Sequence, residues 1–217
     1  MDRSNSRRTQ QERSADTTAR LLDATIDLLH DRGLHRMSTS DIAARAGVSR
    51  GALTHHFPSR EEIVAAAIAR QLGGCTRDLH EMARGIRRSG GSSDGIVDHL
   101  WRMMNDRLFY VTLEYLPEAR HNPEFRDRIL PVVKEFHQGL DAVWAELASQ
   151  AGVEAGRALV LMNATMCLIR GMIAQTTVRE DPPYFQALLE FWKEQLRREF
   201  PRAPARRDAP ALAGADR

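Results

Sequence analysis

The side chains best suited to chemistry lie between Ser38 and Arg60, in the run STSDIAARAGVSRGALTHHFPSR. From Ile42 to Arg60 it holds three arginines (Arg45, Arg50, Arg60), two histidines and no acid. A solvated helical face ordinarily mixes signs, whereas a face that meets phosphates must not. Other groupings fail. Adjacent His55 and His56 point about 100° apart on a helix and cannot readily share a metal. Glu118 and His121 form one Glu-x-x-His pair. A di-iron bundle needs two, and no other histidine has a glutamate three residues before it. Cys75 and Cys167 fit no metal spacing and suit a reducing compartment. The chain has no zinc-helix motif, P-loop, dinucleotide fingerprint or nucleophile elbow. It reads as a non-enzyme with no cofactor and no metal.

The elements around the cationic run are legible. Ser38 stands three residues before Asp41, a capping box that starts a helix. Ile42, Ala43 and Ala46 give that helix a short apolar face, and Gly47 ends it in the left-handed turn that glycine adopts most cheaply. Val48 fills the corner. Ser49 caps a second helix at once, with Leu53 and Phe57 facing inward and Arg50, Gly51, Thr54 and His55 outward. Two short helices around a tight turn, the second basic, make a helix-turn-helix, whose second helix enters the DNA major groove.

The segment resembles the DNA-binding signature of the TetR family of bacterial transcription regulators. The resemblance rests on Gly33, Ser38, Ile42-Ala43, Ala46-Gly47-Val48-Ser49, Gly51, Leu53, His56-Phe57 and Ser59-Arg60-Glu61-Glu62. Thr54 stands where members usually carry a phosphate-binding Tyr; it keeps a hydroxyl but not the reach. The resemblance implies an all-α protein of about nine helices. A three-helix DNA-binding head would precede a helical ligand-binding and dimerisation body. Ser38, Thr54 and Arg60 would then hold phosphates, Arg50 and His55 would read bases, Ser49 and Gly51 would let backbone approach the duplex, and Thr39 would join the DNA-binding set. Double-stranded operator DNA is the expected partner, as is a second copy of the chain. The function implied is a homodimeric repressor on a palindromic operator, released by a small, mostly apolar effector of unknown identity. The alternative is a regulator controlled by a protein partner, or by no effector.

Composition sets the bounds. The 217 residues carry a net charge of only +2, so DNA affinity must come from a local patch. No apolar run approaches the roughly 20 residues that span a bilayer, and the polar start lacks a signal-peptide core. A cytoplasmic protein with no membrane partner is expected. Residues 1–14 read as a disordered basic arm, 15–70 as the head, 71–200 as the body, and 201–217 as a disordered tail. Helix 1 is expected from about Asp16 to Arg32. Helix 4 is expected to begin near Ser59 and run past Leu72, with Gly73-Gly74 counting against its length.

In the body, Met103, Met104, Phe109, Tyr110, Tyr115, Phe136, Met162 and Met166 could line an apolar effector pocket or be plain core. Among the polar residues in these runs, Glu114 and Arg170 are an expected pair, because a buried Arg requires an acid or an anionic ligand. On the last helix, Phe185, Leu188, Leu189, Trp192 and Leu196 lie at helical spacing. With the resemblance, they are the expected dimer interface.

Overall fold

The computed structural model describes residues 9–200 and is all-α. Nine α-helices occur among the described residues. They are α1 (Gln10–Arg32), α2 (Thr39–Ala46), α3 (Arg50–His56), α4 (Arg60–Ser89), α5 (Ser93–Met103), α6 (Phe109–His121), α7 (Pro123–Ala151), α8 (Ala155–Thr176) and α9 (Pro182–Glu199). A 3-10 turn, Leu34–Arg36, joins α1 to α2, and a π-helical turn, Met104–Leu108, joins α5 to α6.

Local chemistry explains most boundaries. Thr9 and Glu12 form a capping box that starts α1 six residues before Asp16, so residues 10–14 are helical rather than part of a loose arm. The rest of the predicted arm and the tail from residue 201 lie outside the described residues. Ser59, Ser92, Asn122, Glu154 and Asp181 each accept a backbone N–H that would otherwise go unsatisfied at the start of α4, α5, α7, α8 and α9. Prolines occupy the first turn of α7 and α9, where no intrahelical N–H is needed. Helix α4 runs unbroken through Gly73-Gly74 for 30 residues. Helices α6 and α7 continue through Pro117 and Pro131.

Helix α4 carries the fold. Its head end packs on α1, and its body length lies along α7, the most extensive helix pairing in the chain. Gly139 on α7 makes that approach possible: a Cβ there would come within 3.3 Å of Leu79 on α4. The core continues from Leu21, Leu28 and Ile42 in the head through Ile63 and Leu79 to Leu140, Trp144 and Ile169 in the body.

Helix α8 corrects one expectation: by length and composition alone it could cross a bilayer. Its inward face, including Leu161, Met166, Ile169 and Ile173, is buried in the core, and α7 and α9 pack against the helix. Its apolarity is accounted for as that of a core helix. The π-turn holds the one sharp departure from helical backbone within an element: Asp106 is nearly extended, with φ −84° and ψ −162°.

Candidate DNA-binding site and the body surfaces

Helices α2 and α3 form the helix-turn-helix, and their corner is built by hydrogen bonds. Ser38 Oγ accepts the Asp41 N–H, and the Asp41 carboxylate accepts the Ser38 N–H at 2.9 Å. Gly47 is left-handed (φ 64°, ψ 38°), and its N–H and that of Val48 close the carbonyls of Ala44 and Ala43. Ser49 Oγ accepts the Ala52 N–H and starts α3. Ile42 and Leu53 are fully buried, so the two helices are pinned from inside. Arg20 of α1, not singled out from the sequence, donates to the Ala46 and Gly47 carbonyls, placing a cation where the dipole of α2 ends.

The cationic run divides by partner. Arg45 pairs back to α1, with Asp31 at 2.9 Å and Asp27 at 3.7 Å. Arg60 Nη1 donates to the carbonyls of Leu34 at 3.1 Å and Met37 at 3.3 Å. Its guanidinium thus holds the turn before α2. Arg50 is exposed and makes no ion pair among the described residues. Gly51, Thr54 and His55 are exposed beside it. Thr54 Oγ1 bonds back to the carbonyls of Arg50 and Gly51 at 3.2 and 3.1 Å, leaving its lone pairs outward. His56 instead turns inward, within 3.3 Å of Thr18 on α1. The exposed face of α3 is therefore Arg50, Gly51, Thr54 and His55, with Ser49 at its start; Ser38 and Thr39 open α2 alongside.

The head is tied to the body at three points. Glu114 of α6 accepts the Leu34 N–H at 2.7 Å. Gly33 must be glycine there: its φ is 78°, and a Cβ would lie 2.8 Å from the Glu114 carboxylate. Arg128 of α7 approaches Glu62 of α4 at 3.6 Å. Arg107 of the π-turn pairs with Asp27 of α1. Glu114 therefore serves the head and is not the partner of Arg170, whose Nε is buried without a hydrogen bond.

The predicted pocket is mostly core. Met104, Phe109, Tyr115, Phe136, Met162 and Met166 are all buried against other side chains. Tyr110 stacks edge-on to His30. Met103 lines a cleft of about 580 Å³ between α1, α4, α5 and the π-turn. That cleft is rich in Asp and Arg.

Three of the five residues of the expected interface, Phe185, Leu189 and Leu196, are buried within the chain itself, and Trp192 Nε1 donates to the fully buried Thr165 Oγ1 at 2.9 Å. Leu188 is half-buried at the edge. The apolar side chains left outward are Phe191 on α9 and Leu159 and Val160 on α8, Phe191 and Val160 each 58% exposed.

Comparison with known proteins fits this geometry. Residues 21–67 match the family described as "Bacterial regulatory proteins, tetR family". The stretch spans the second half of α1, all of α2 and α3, and the start of α4. The chain is 23% identical over 180 residues to the HTH-type transcriptional regulator CymR of Pseudomonas putida, covering 83% of this chain and 89% of CymR. A solved Mesorhizobium loti protein assigned to the tetR family superposes with a TM-score of 0.72 at 13% identity, over 86% of this chain and 97% of that one. FadR of Bacillus subtilis, a transcriptional regulator solved in complex with stearoyl-CoA, superposes with a TM-score of 0.63 at 20% identity, over 82% and 96%. At these identities the two structures establish the fold, while the matched head establishes what it is for. Residues 21–67 carry the DNA-binding domain of the tetR family of bacterial regulatory proteins, and the chain is a helix-turn-helix DNA-binding transcriptional regulator.

Proposed function

We propose that the chain is a cytoplasmic repressor that binds a palindromic or near-palindromic operator as a homodimer and lets go when a small molecule binds. The observation that carries the DNA reading is the face of α3, where Arg50 projects without a partner beside exposed Gly51, Thr54 and His55. Arg50 donates to a guanine edge, the commonest specific contact. His55 reads the neighbouring edge. Ser38, Thr39 and Thr54 hold phosphates, which set register without specifying sequence.

A dimer follows from the reach of one head. One short recognition helix covers one major groove, and two heads about 34 Å apart meet successive grooves on one side of the duplex. The face for the second copy is the outward side of α8 and α9. Phe191, Leu159 and Val160 stand out there, with Leu188 at its edge. Control by a small molecule is supported by the cleft between head and body and by the ligand held in the similarly folded FadR.

A gel-shift titration against the DNA just upstream of the protein's own coding sequence tests this. A sharp shift that survives excess random DNA supports a specific regulator. Failure there, and failure to enrich any site from random sequences, overturns it.

A further inference from the structure

The cleft of about 580 Å³ touches three parts of the molecule at once: α1 of the head, α4, and α5 with its π-turn. Its floor is apolar, with Leu22, Ile26, Ala67 and Met103. Its walls carry four aspartates (Asp23, Asp27, Asp78, Asp106) and four arginines (Arg70, Arg77, Arg102, Arg107), so the formal charges cancel. Half are already paired. Arg70 holds Asp23 at 2.7 Å and the Ala19 carbonyl at 2.8 Å, and Arg107 holds Asp27. The other half are not. Asp78, Asp106, Arg77 and Arg102 make no ion pair among the described residues. His99 Nε2, on the same cleft, is buried with no hydrogen-bond partner.

Asp78, Asp106, Arg77 and Arg102 are exposed, so two charges of each sign are free to turn to a ligand over an apolar floor. A ligand of one sign would meet as much repulsion as attraction and would still lose its water. A purely apolar ligand would leave the charged walls unmatched. We propose that this cleft binds a small zwitterion with an apolar body, of the class of hydrophobic dipeptides. Its carboxylate meets Arg102 and His99, and its ammonium meets Asp78 and Asp106. This rests on the reading of the chain as an effector-controlled regulator and names the effector's chemistry.

The site also has a route to the DNA face. Asp27 is shared between Arg107 of the π-turn and Arg45 of α2. A ligand ammonium seated on Asp106 pulls on the π-turn that also carries Arg107, and so on one of the two cations held by Asp27. Its hold on Arg45, and so the seating of α2 on α1, changes with it.

The test is calorimetric titration of the full-length protein with phenylalanyl-leucine and leucyl-phenylalanine, each also as the N-acetyl and the C-amide form. We expect saturable binding of the free dipeptides and at least tenfold weaker binding once either charge is removed. Arg102→Gln should weaken the free dipeptide about as much as amidation does and leave the amide unchanged. Asp106→Asn should do the same for the ammonium. Circular dichroism and melting temperature are followed to show that both variants fold. Absence of dipeptide binding, or binding indifferent to capping and to both substitutions, overturns the proposal. Operator affinity is measured in parallel by fluorescence anisotropy, with and without saturating dipeptide. Specific DNA binding without dipeptide binding sinks the ligand assignment alone. Dipeptide binding that leaves operator affinity unchanged sinks effector control alone. We expect a fall in operator affinity of about 5- to 150-fold.

Discussion

At the scale of single residues, the three arginines of the cationic run are identical in sequence and different in use. Arg45 is held by two aspartates of α1, and Arg60 by two backbone carbonyls. Arg50 projects alone. The partners of Arg45 lie some 14 to 18 residues away along α1, so no reading of the run itself could have assigned them. Arg50→Ala should cost about 1–3 kcal/mol of operator binding and relax discrimination at one base position. Anisotropy titrations on the operator and on single-base variants measure both; wild-type affinity and selectivity would remove Arg50 from the base-reading set. Arg60→Ala should behave differently. Losing its charge-assisted bonds to Leu34 and Met37 should lower stability by about 1–3 kcal/mol while leaving the salt dependence of DNA binding near wild type. Urea unfolding and a salt titration separate the two, and a salt slope reduced by about one per subunit would restore a phosphate role.

At the scale of elements, helix existence was plain in the sequence and helix facing was not. The capping residues Ser38, Ser49 and Asp181 and the stop at Gly47 are local chemistry, readable from neighbours three residues apart. The facing of α9 is decided by what packs on it. Its apolar residues occupy more than one side, and the stripe with the best spacing, Phe185, Leu189, Trp192 and Leu196, turns into the chain's own core. Phe191, one position from Trp192, points out. The Met and aromatic residues of the body were ambiguous for the same reason, since a helical apolar stripe looks alike whether it lines a cavity or fills one. The two tryptophan-neighbourhood substitutions therefore part company. Phe191→Asp should give folded monomers with poor operator affinity, seen by sedimentation and anisotropy. Trp192→Asp should instead lower the melting temperature, because it removes the indole packed against the core and its hydrogen bond to Thr165, and puts a carboxylate in its place. A folded, dimeric Phe191→Asp protein would place the interface elsewhere.

At the scale of the whole molecule, carboxylates held by hydrogen bonds within the head and within the body add stability that acid should remove. Hydrogen bonds from His30 and Arg45 hold the Asp31 carboxyl below its ordinary value of 3.8. Those from the Ser38 side chain and backbone do the same for Asp41. Arg179 lowers Asp181, Arg157 lowers Glu199, and the N–H groups of Gly156 and Arg157 lower Glu154. A carboxylate whose folded value is depressed adds stability above its ordinary value and surrenders it as pH falls through the folded one. The melting temperature should hold steady above about pH 5 and drop below about pH 4. A flat profile to lower pH would mean these ion pairs add nothing.

Two glycines in the longest helix carry a mechanical consequence. Added methyl groups at Gly73 and Gly74 would meet only the flexible guanidinium of Arg77, at 3.7 and 3.9 Å, so sterics do not require glycine at either place. Each glycine costs a helix interior about 1 kcal/mol relative to alanine. Gly73→Ala with Gly74→Ala should therefore raise the melting temperature, and scanning calorimetry would show it; a fall would mean the backbone there is not free to accept a side chain. What the wild-type chain keeps instead is compliance. The beam that joins the DNA-reading end to the body has its softest point at midspan, beside the charged cleft, where a small push gives the largest deflection. In the dimer and effector control we propose, the same beam stiffened with alanine would hold the two heads at one spacing whatever sat in the cleft: a more durable protein that has lost its hearing.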